Sequence, residues 1–166
     1  MEAEELRTLQ APLKQQYRDD PDSAVVTLRA SGSLDSPGVS CRVETGRALV
    51  EAGLHPATGG TGLQACSGDM LLESLAACAG VTLRAVATAL EIPIRGGTVD
   101  VEGDLDFRGT LGVSKEVPVG FQAIRVRLNL ESDATAEQLG TLLKLTERYC
   151  VVLQTLRVPP TVTLSS

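Results

Sequence analysis

An α+β fold is predicted for this chain, a largely antiparallel sheet packed with long helices. Three observations predict it. Residues from about Asp69 to Leu90 form one long run of apolar and small side chains at helical length. Two later runs, Thr98 to Arg108 and Gln122 to Glu131, alternate apolar and polar residues with the period of two that marks a half-buried strand. The element order, helix, strands, helix, two long strands, helix, strand, separates the two kinds of element rather than alternating them as a parallel α/β sheet would. At 166 residues the chain is read as one domain, 1–166, with residues 1–20 as an N-terminal helical extension.

From the N-terminus, Leu6, Leu9, Leu13 and Tyr17 recur at helical spacing over Glu2 to Tyr17, and the turn-prone Arg18-Asp-Asp-Pro21 ends that helix. Ala24 to Ala30 reads as a strand and Ser31 to Gly38 as a loop. Over Val39 to Glu44, Val39, Cys41 and Val43 share one face, so the simplest fate for Cys41 is the buried side of a strand. Thr45-Gly46 is a hairpin turn into Arg47–Glu51. The glycine-rich segment Gly53 to Leu63 lacks the lysine followed by Ser or Thr that a phosphate-binding loop requires.

The helix from Asp69 to Leu90 is apolar nearly all round, with Ser74, Ala76, Ala77, Ala79 and Gly80 permitting close approach, and such a helix is expected to be buried on several sides. In the long strands, Val99, Val101, Leu105 and Phe107 alternate with four acidic residues, and Ile124, Val126, Leu128 and Leu130 alternate with Arg125, Arg127 and Asn129. That pattern predicts cross-strand charge pairing on a solvated face. Asp133 or Thr135 is expected to cap a second helix, with Gln138 completing a Thr-x-x-Gln capping box, and the helix's inner face is Leu139, Leu142, Leu143 and Thr146. Cys150 falls at its end, before a short Val151–Leu156 segment, and Thr161–Leu164 reads as a last strand after Pro159-Pro160.

Composition narrows the function. A formal net charge of −6 argues against nucleic acid and anionic membrane surfaces as partners. An aromatic content of 2% removes the stacking platforms of single-strand binders and leaves a core of Leu, Val, Ile and Ala. The acidic start Met1-Glu-Ala-Glu-Glu-Leu6 does not resemble a secretory signal, and Glu73 and Arg84 interrupt the one stretch long enough to span a membrane. A cytoplasmic location is therefore expected, where a disulfide is transient and chemical. Cys41, Cys66, Cys78, Cys150 and His55 contain no Cys-x-x-Cys pair or other zinc spacing, so no metal and no cofactor are expected.

Cys78, inside the apolar helix, and Cys150 are the residues on which function turns. As residues they are either two small buried hydrophobes or a redox pair. Their surroundings resemble the OsmC/Ohr family, the osmotically inducible protein C and organic hydroperoxide resistance proteins. The likeness runs from Gly59 to Leu156: Gly59-Gly60 precedes the helix, Asp69 to Cys78 follows the pattern acidic–apolar–Leu-Leu-x-x-Leu-Ala-Ala-Cys, and Glu147-Arg-Tyr-Cys150 leads on to Leu156.

The resemblance implies an OsmC-like fold, an intertwined homodimer and thiol-dependent reduction of alkyl or lipid hydroperoxides by an external dithiol or lipoyl-type reductant. By position Cys78 would be the peroxidatic cysteine and Cys150 the resolving one. Asp69 is the nearest match to the family's acidic residue, where it would orient an arginine; Arg29, Arg42 and Arg47 lie in the right part of the chain, and Arg42 and Arg47 are the candidates.

A free thiol has a pKa near ~8.5 and is mostly protonated at neutral pH. Cys78 lies about nine residues into its helix, too far for that helix's own dipole to act, so a nearby cation is expected to activate it. The competing reading is a non-enzymatic dimer that binds a small apolar ligand between its subunits. A hydrolase with Cys78 as acyl nucleophile would need a histidine base, and His55 is the single histidine.

Overall fold

The computed structural model describes residues 50–112 and 114–165, the backbone of 31–33, 40–44 and 49, and Glu2–Glu5 with positions 8, 11, 15 and 19 of the N-terminal segment. Of those N-terminal positions, 3–5, 8, 11, 15 and 19 are helical. The strand expected at 24–30, the turn at 45–46 and the side chain of Cys41 lie outside the described residues. The chain divides into two compact units: one holds residues 1–26, 74–100 and 126–166, the other residues 27–73 and 101–125.

In the second unit, strands β1 (Ser31–Ser33), β2 (Ser40–Glu44), β3 (Leu49–Gly53) and β4 (Ala65–Cys66) form one sheet in that order. The first two pairs are antiparallel, with Cys41 opposite Ala52. β4 runs parallel to β3 and sets Gly53 beside Cys66. β1 falls where a loop was expected. Ser-Gly-Ser carries no apolar alternation, and its strand conformation comes from pairing with β2.

The glycine-rich segment contains a 3-10 turn, Pro56–Thr58, capped by His55, whose Nδ1 accepts the Ala57 N–H at 3.0 Å. Gly59 closes that turn at φ 90°, a left-handed conformation that glycine adopts without a Cβ clash.

Helix α1 (Ser67–Ala89) starts two residues before the expected Asp69 and crosses from the second unit into the first. Its buried residues are Leu75, Ala79, Leu83 and Ala87. These are a single stripe at every fourth position rather than several sides, and Val81 is 71% exposed. By length and a mean hydropathy of 1.5, α1 would also pass as a membrane span, a test that core helices meet as well.

Strand β5 (Gly96–Asp104) pairs with β6 (Ala123–Glu131). The Arg95 N–H donates to the Glu131 carbonyl at one end and the Gln122 N–H to the Asp104 carbonyl at the other, which makes the pair antiparallel. β5 ends at Asp104, not at Arg108. Asp106 accepts the Arg108 N–H at 3.0 Å and caps a short helix, α2 (Phe107–Thr110), which turns the chain out of the strand. The charge pairing follows the alternation: Arg125 bonds Asp104 at 2.8 Å and Glu102 at 3.3 Å, and Asn129 bonds Asp100 at 2.6 Å.

In the first unit, α3 (Ala136–Tyr149) opens on the full capping box, with Thr135 and Gln138 bonding each other's backbone N–H. A second short helix, α4 (Val151–Arg157), follows directly. Leu83, Ala87, Ile92 and Leu142 form the buried core, with Leu128, Leu130 and Leu139 packed against it. Leu143 stands 42% exposed, one position off the buried stripe. Residues 161–164 are irregular rather than a strand, with Val162 and Leu164 exposed. Pro159 and Pro160 have no N–H to donate, and no strand lies beside this segment among the described residues.

Candidate functional site

The first unit brings Cys78 and Cys150 together. Cys78 is half-buried on α1, one position before the buried Ala79. Cys150 is the residue between α3 and α4, with extended backbone (φ −71°, ψ 107°). Its N–H donates to the Thr146 carbonyl at 3.0 Å and closes α3, while its carbonyl accepts the Gln154 N–H at 2.9 Å and opens α4. The Gln154 side chain also donates to the Glu147 carbonyl at 2.7 Å, tying the two helices across the break. This non-helical residue between two helices is fully buried, at 0% exposure. Both thiols are free.

The two thiols are driven in opposite directions. Burial alone would push the Cys78 thiol up. The Val152 N–H, the Cys150 thiol, the Val151 N–H and the Thr82 hydroxyl, in that order of strength, stabilise its thiolate and bring the pKa below the ordinary thiol value. Cys150 is raised, first by burial; the Leu153 N–H comes next and pulls it down, the hydrogen bond to Cys78 and its charge push it up, and the Val152 N–H opposes them more weakly. The arrangement favours ionisation of Cys78 over ionisation of its neighbour Cys150.

Among the described residues, hydrogen-bond donors at the start of α4 and on α1 stabilise the Cys78 thiolate; the side chains of the arginines considered for the expected cation lie outside the described residues. These donors were missed in the sequence. Thr82 was readable as the residue one helical turn after Cys78. Val151 and Val152 were not, because backbone N–H groups become available only where a helix begins.

The other candidates lie elsewhere. Asp69 is exposed on the first turn of α1 and makes no ion pair among the described residues. It lines a cavity of about 330 Å3 in the second unit together with His55 and Cys66. Arg42 is paired by its backbone with Glu51 across β2 and β3, and its side chain lies outside the described residues, as do Arg29 and Arg47 altogether. His55 spends Nδ1 on the Ala57 N–H and stacks on Phe107, with ring centroids 4.9 Å apart. Among the described residues no group of three His, Cys, Asp or Glu side chains is placed to hold a metal ion.

Comparison with known proteins agrees with this architecture. Residues 60–165 match the family described as OsmC-like protein. Among solved structures, an OsmC-like protein from Mycoplasma pneumoniae is similar at a TM-score of 0.65 and 18% identity, covering 80% of this chain and 88% of its own. An organic hydroperoxide resistance protein OsmC from Legionella pneumophila aligns at 0.62 and 16%, covering 80% and 90%. An organic hydroperoxide resistance protein from Elizabethkingia anophelis aligns at 0.60 and 18%, covering 81% and 91%. At such identities these structures carry the fold alone. No curated protein matches the chain.

Proposed function

Since this chain belongs to the family of OsmC-like proteins, we propose that it is a thiol peroxidase that reduces alkyl or lipid hydroperoxides to alcohols. The observation that carries the reading is the Cys78–Cys150 contact, with the half-buried partner tuned toward thiolate and the fully buried partner toward thiol. Relatives of the same fold that are named for organic hydroperoxide resistance support it.

The Cys78 thiolate attacks the peroxide oxygen distal to the alkyl group. The O–O bond breaks, the alkoxide leaves and takes up a proton as the alcohol, and Cys78 becomes a sulfenic acid. The Cys150 thiol then condenses with it, releasing water and forming a disulfide before over-oxidation can occur. An external dithiol, of small-molecule or lipoyl type, reduces that disulfide by exchange and is itself oxidised. The proposed cycle runs on the two thiols and the external dithiol, without a metal or organic cofactor. A reducing compartment such as the cytoplasm suits it.

A homodimer belongs to the same reading. Ser74, Ala77 and Val81 form an exposed row on α1 beside Cys78, and a second copy of the chain would cover it.

The test is intact-mass analysis of the reduced protein titrated with cumene hydroperoxide, beside Cys78→Ser and Cys150→Ser. The expected result is loss of two protons at one equivalent, mapped to a Cys78–Cys150 disulfide. Slow oxidation spread over all four cysteines would overturn the proposal.

A further inference from the structure

The second unit encloses a cavity that the thiol chemistry does not use. Its volume is about 330 Å3, at the small end of ligand pockets. The chain has two phenylalanines and one histidine in 166 residues, and all three line this one cavity. Phe107 lies stacked against His55 at 4.9 Å and an interplanar angle of 18°. The His55 Nδ1 accepts the Ala57 N–H, which holds the ring in place against Phe107. Phe121 is pressed onto the backbone of Gly103, where a Cβ would come within 2.6 Å of the ring. At Gly68 a Cβ would meet the Phe121 ring at 3.5 Å and Cys66 Sγ at 3.6 Å, so the absence of a side chain there keeps the space between them open.

Among the described residues the charge on the walls has one sign: Asp69 and Asp104 line the cavity, and no described lysine or arginine does. Asp104 is committed to Arg125 at 2.8 Å, whereas Asp69 is exposed and has no ion pair among the described residues. A carboxylate beside aromatic faces favours a cation, through both direct attraction and the negative faces of the rings. The net charge of −6 acts in the same direction.

We propose that this cavity binds a small organic cation with a flat apolar body, of the arylalkylamine class, with the apolar part against Phe107 and Phe121 and the ammonium toward Asp69. The cavity shares no residue with the Cys78–Cys150 pair, and the proposal stands whether or not the peroxidase reading does.

The test uses phenethylamine as the probe and the full chain. His55 is the only histidine, so its ring proton resonance reports on the cavity alone. Phenethylamine is expected to shift it saturably, and to slow alkylation of Cys66 by iodoacetamide over the same concentration range. Phenylacetate, with the same ring and the opposite charge, is expected to do neither. Asp69→Asn is expected to weaken binding about fivefold, the size of one exposed ion pair. Gly68→Val is expected to abolish binding by filling the cavity, and Gly68→Ala tests the same point with a smaller side chain. Absence of a saturable shift, equal binding of phenylacetate, or unchanged affinity in both Asp69→Asn and the Gly68 variants would overturn the proposal.

Discussion

The Cys150 thiol favours the thiolate of Cys78, and Cys78 in turn pushes the Cys150 thiol up. One contact thereby shifts two residues of the same chemistry in opposite directions. The asymmetry is what a two-cysteine peroxide cycle needs, a nucleophile that is ionised first and a partner that holds its proton until the condensation step.

The pH dependence of alkylation follows from that contact. Cys78 is expected to react with iodoacetamide with a midpoint below the ~8.5 of an ordinary cysteine. Cys150→Ala removes a donor and moves the midpoint up, while Cys150→Ser keeps a hydroxyl donor and moves it less. Peptide-resolved alkylation rates between pH 5 and 10 measure both shifts. An unchanged midpoint in Cys150→Ala would show that the thiol contact does not set the ionisation of Cys78.

The core prediction separates neighbouring leucines on α3. Leu142 is fully buried and Leu143 is 42% exposed. Leu142→Ala is expected to cost about 2–5 kcal/mol in urea unfolding, and Leu143→Ala about 0.5 kcal/mol or less. Equal losses would place Leu143 in the core as well.

Association is tested at Val81. Its side chain is 71% exposed in one copy of the chain, so a charge there is harmless to the single subunit. With the proposed second copy covering this row, Val81→Glu buries an unpaired carboxylate between subunits. Light scattering is expected to give a dimer for the wild type and a monomer, with retained helical circular dichroism, for Val81→Glu.

Asp106 supplies an acid-linked stability change. The Arg108 guanidinium beside it, with the Arg108 N–H, holds its carboxyl down to about 2. A carboxyl depressed in the folded state contributes stability that is fully present above its unfolded value near ~3.9 and is lost as pH falls through about 2. Asp106→Ala is therefore expected to melt below the wild type at pH 7, with the difference shrinking between pH 4 and 2. A melting difference independent of pH would exclude the charge as its source.

Much of this was legible in the chain. The period-two runs located β5 and β6, and the Thr135–Gln138 box located the start of α3. The spacing of Asp69, Cys78 and Glu147–Cys150 carried the family resemblance. The misses share a cause. β1 and the two-residue β4 exist only through their partners, and nothing in Ser-Gly-Ser or Ala-Cys announces a strand. Phe107 continued the alternation of β5, yet the Asp106 cap competed with it locally and won. Residues 161–164 alternate like a strand, but alternation without a neighbour makes no ladder.

The sequence by itself determined the elements whose signals are local: helical and strand periods, caps, and the two cysteines at the ends of recognisable motifs. Only the tertiary structure decided that Cys150 is the buried break between two helices, that its thiol meets Cys78, and that the N–H groups of Val151 and Val152 favour the Cys78 thiolate. Backbone donors and thiol–thiol contacts depend on where one helix ends and the next begins in space, and no residue pattern along the chain encodes that distance.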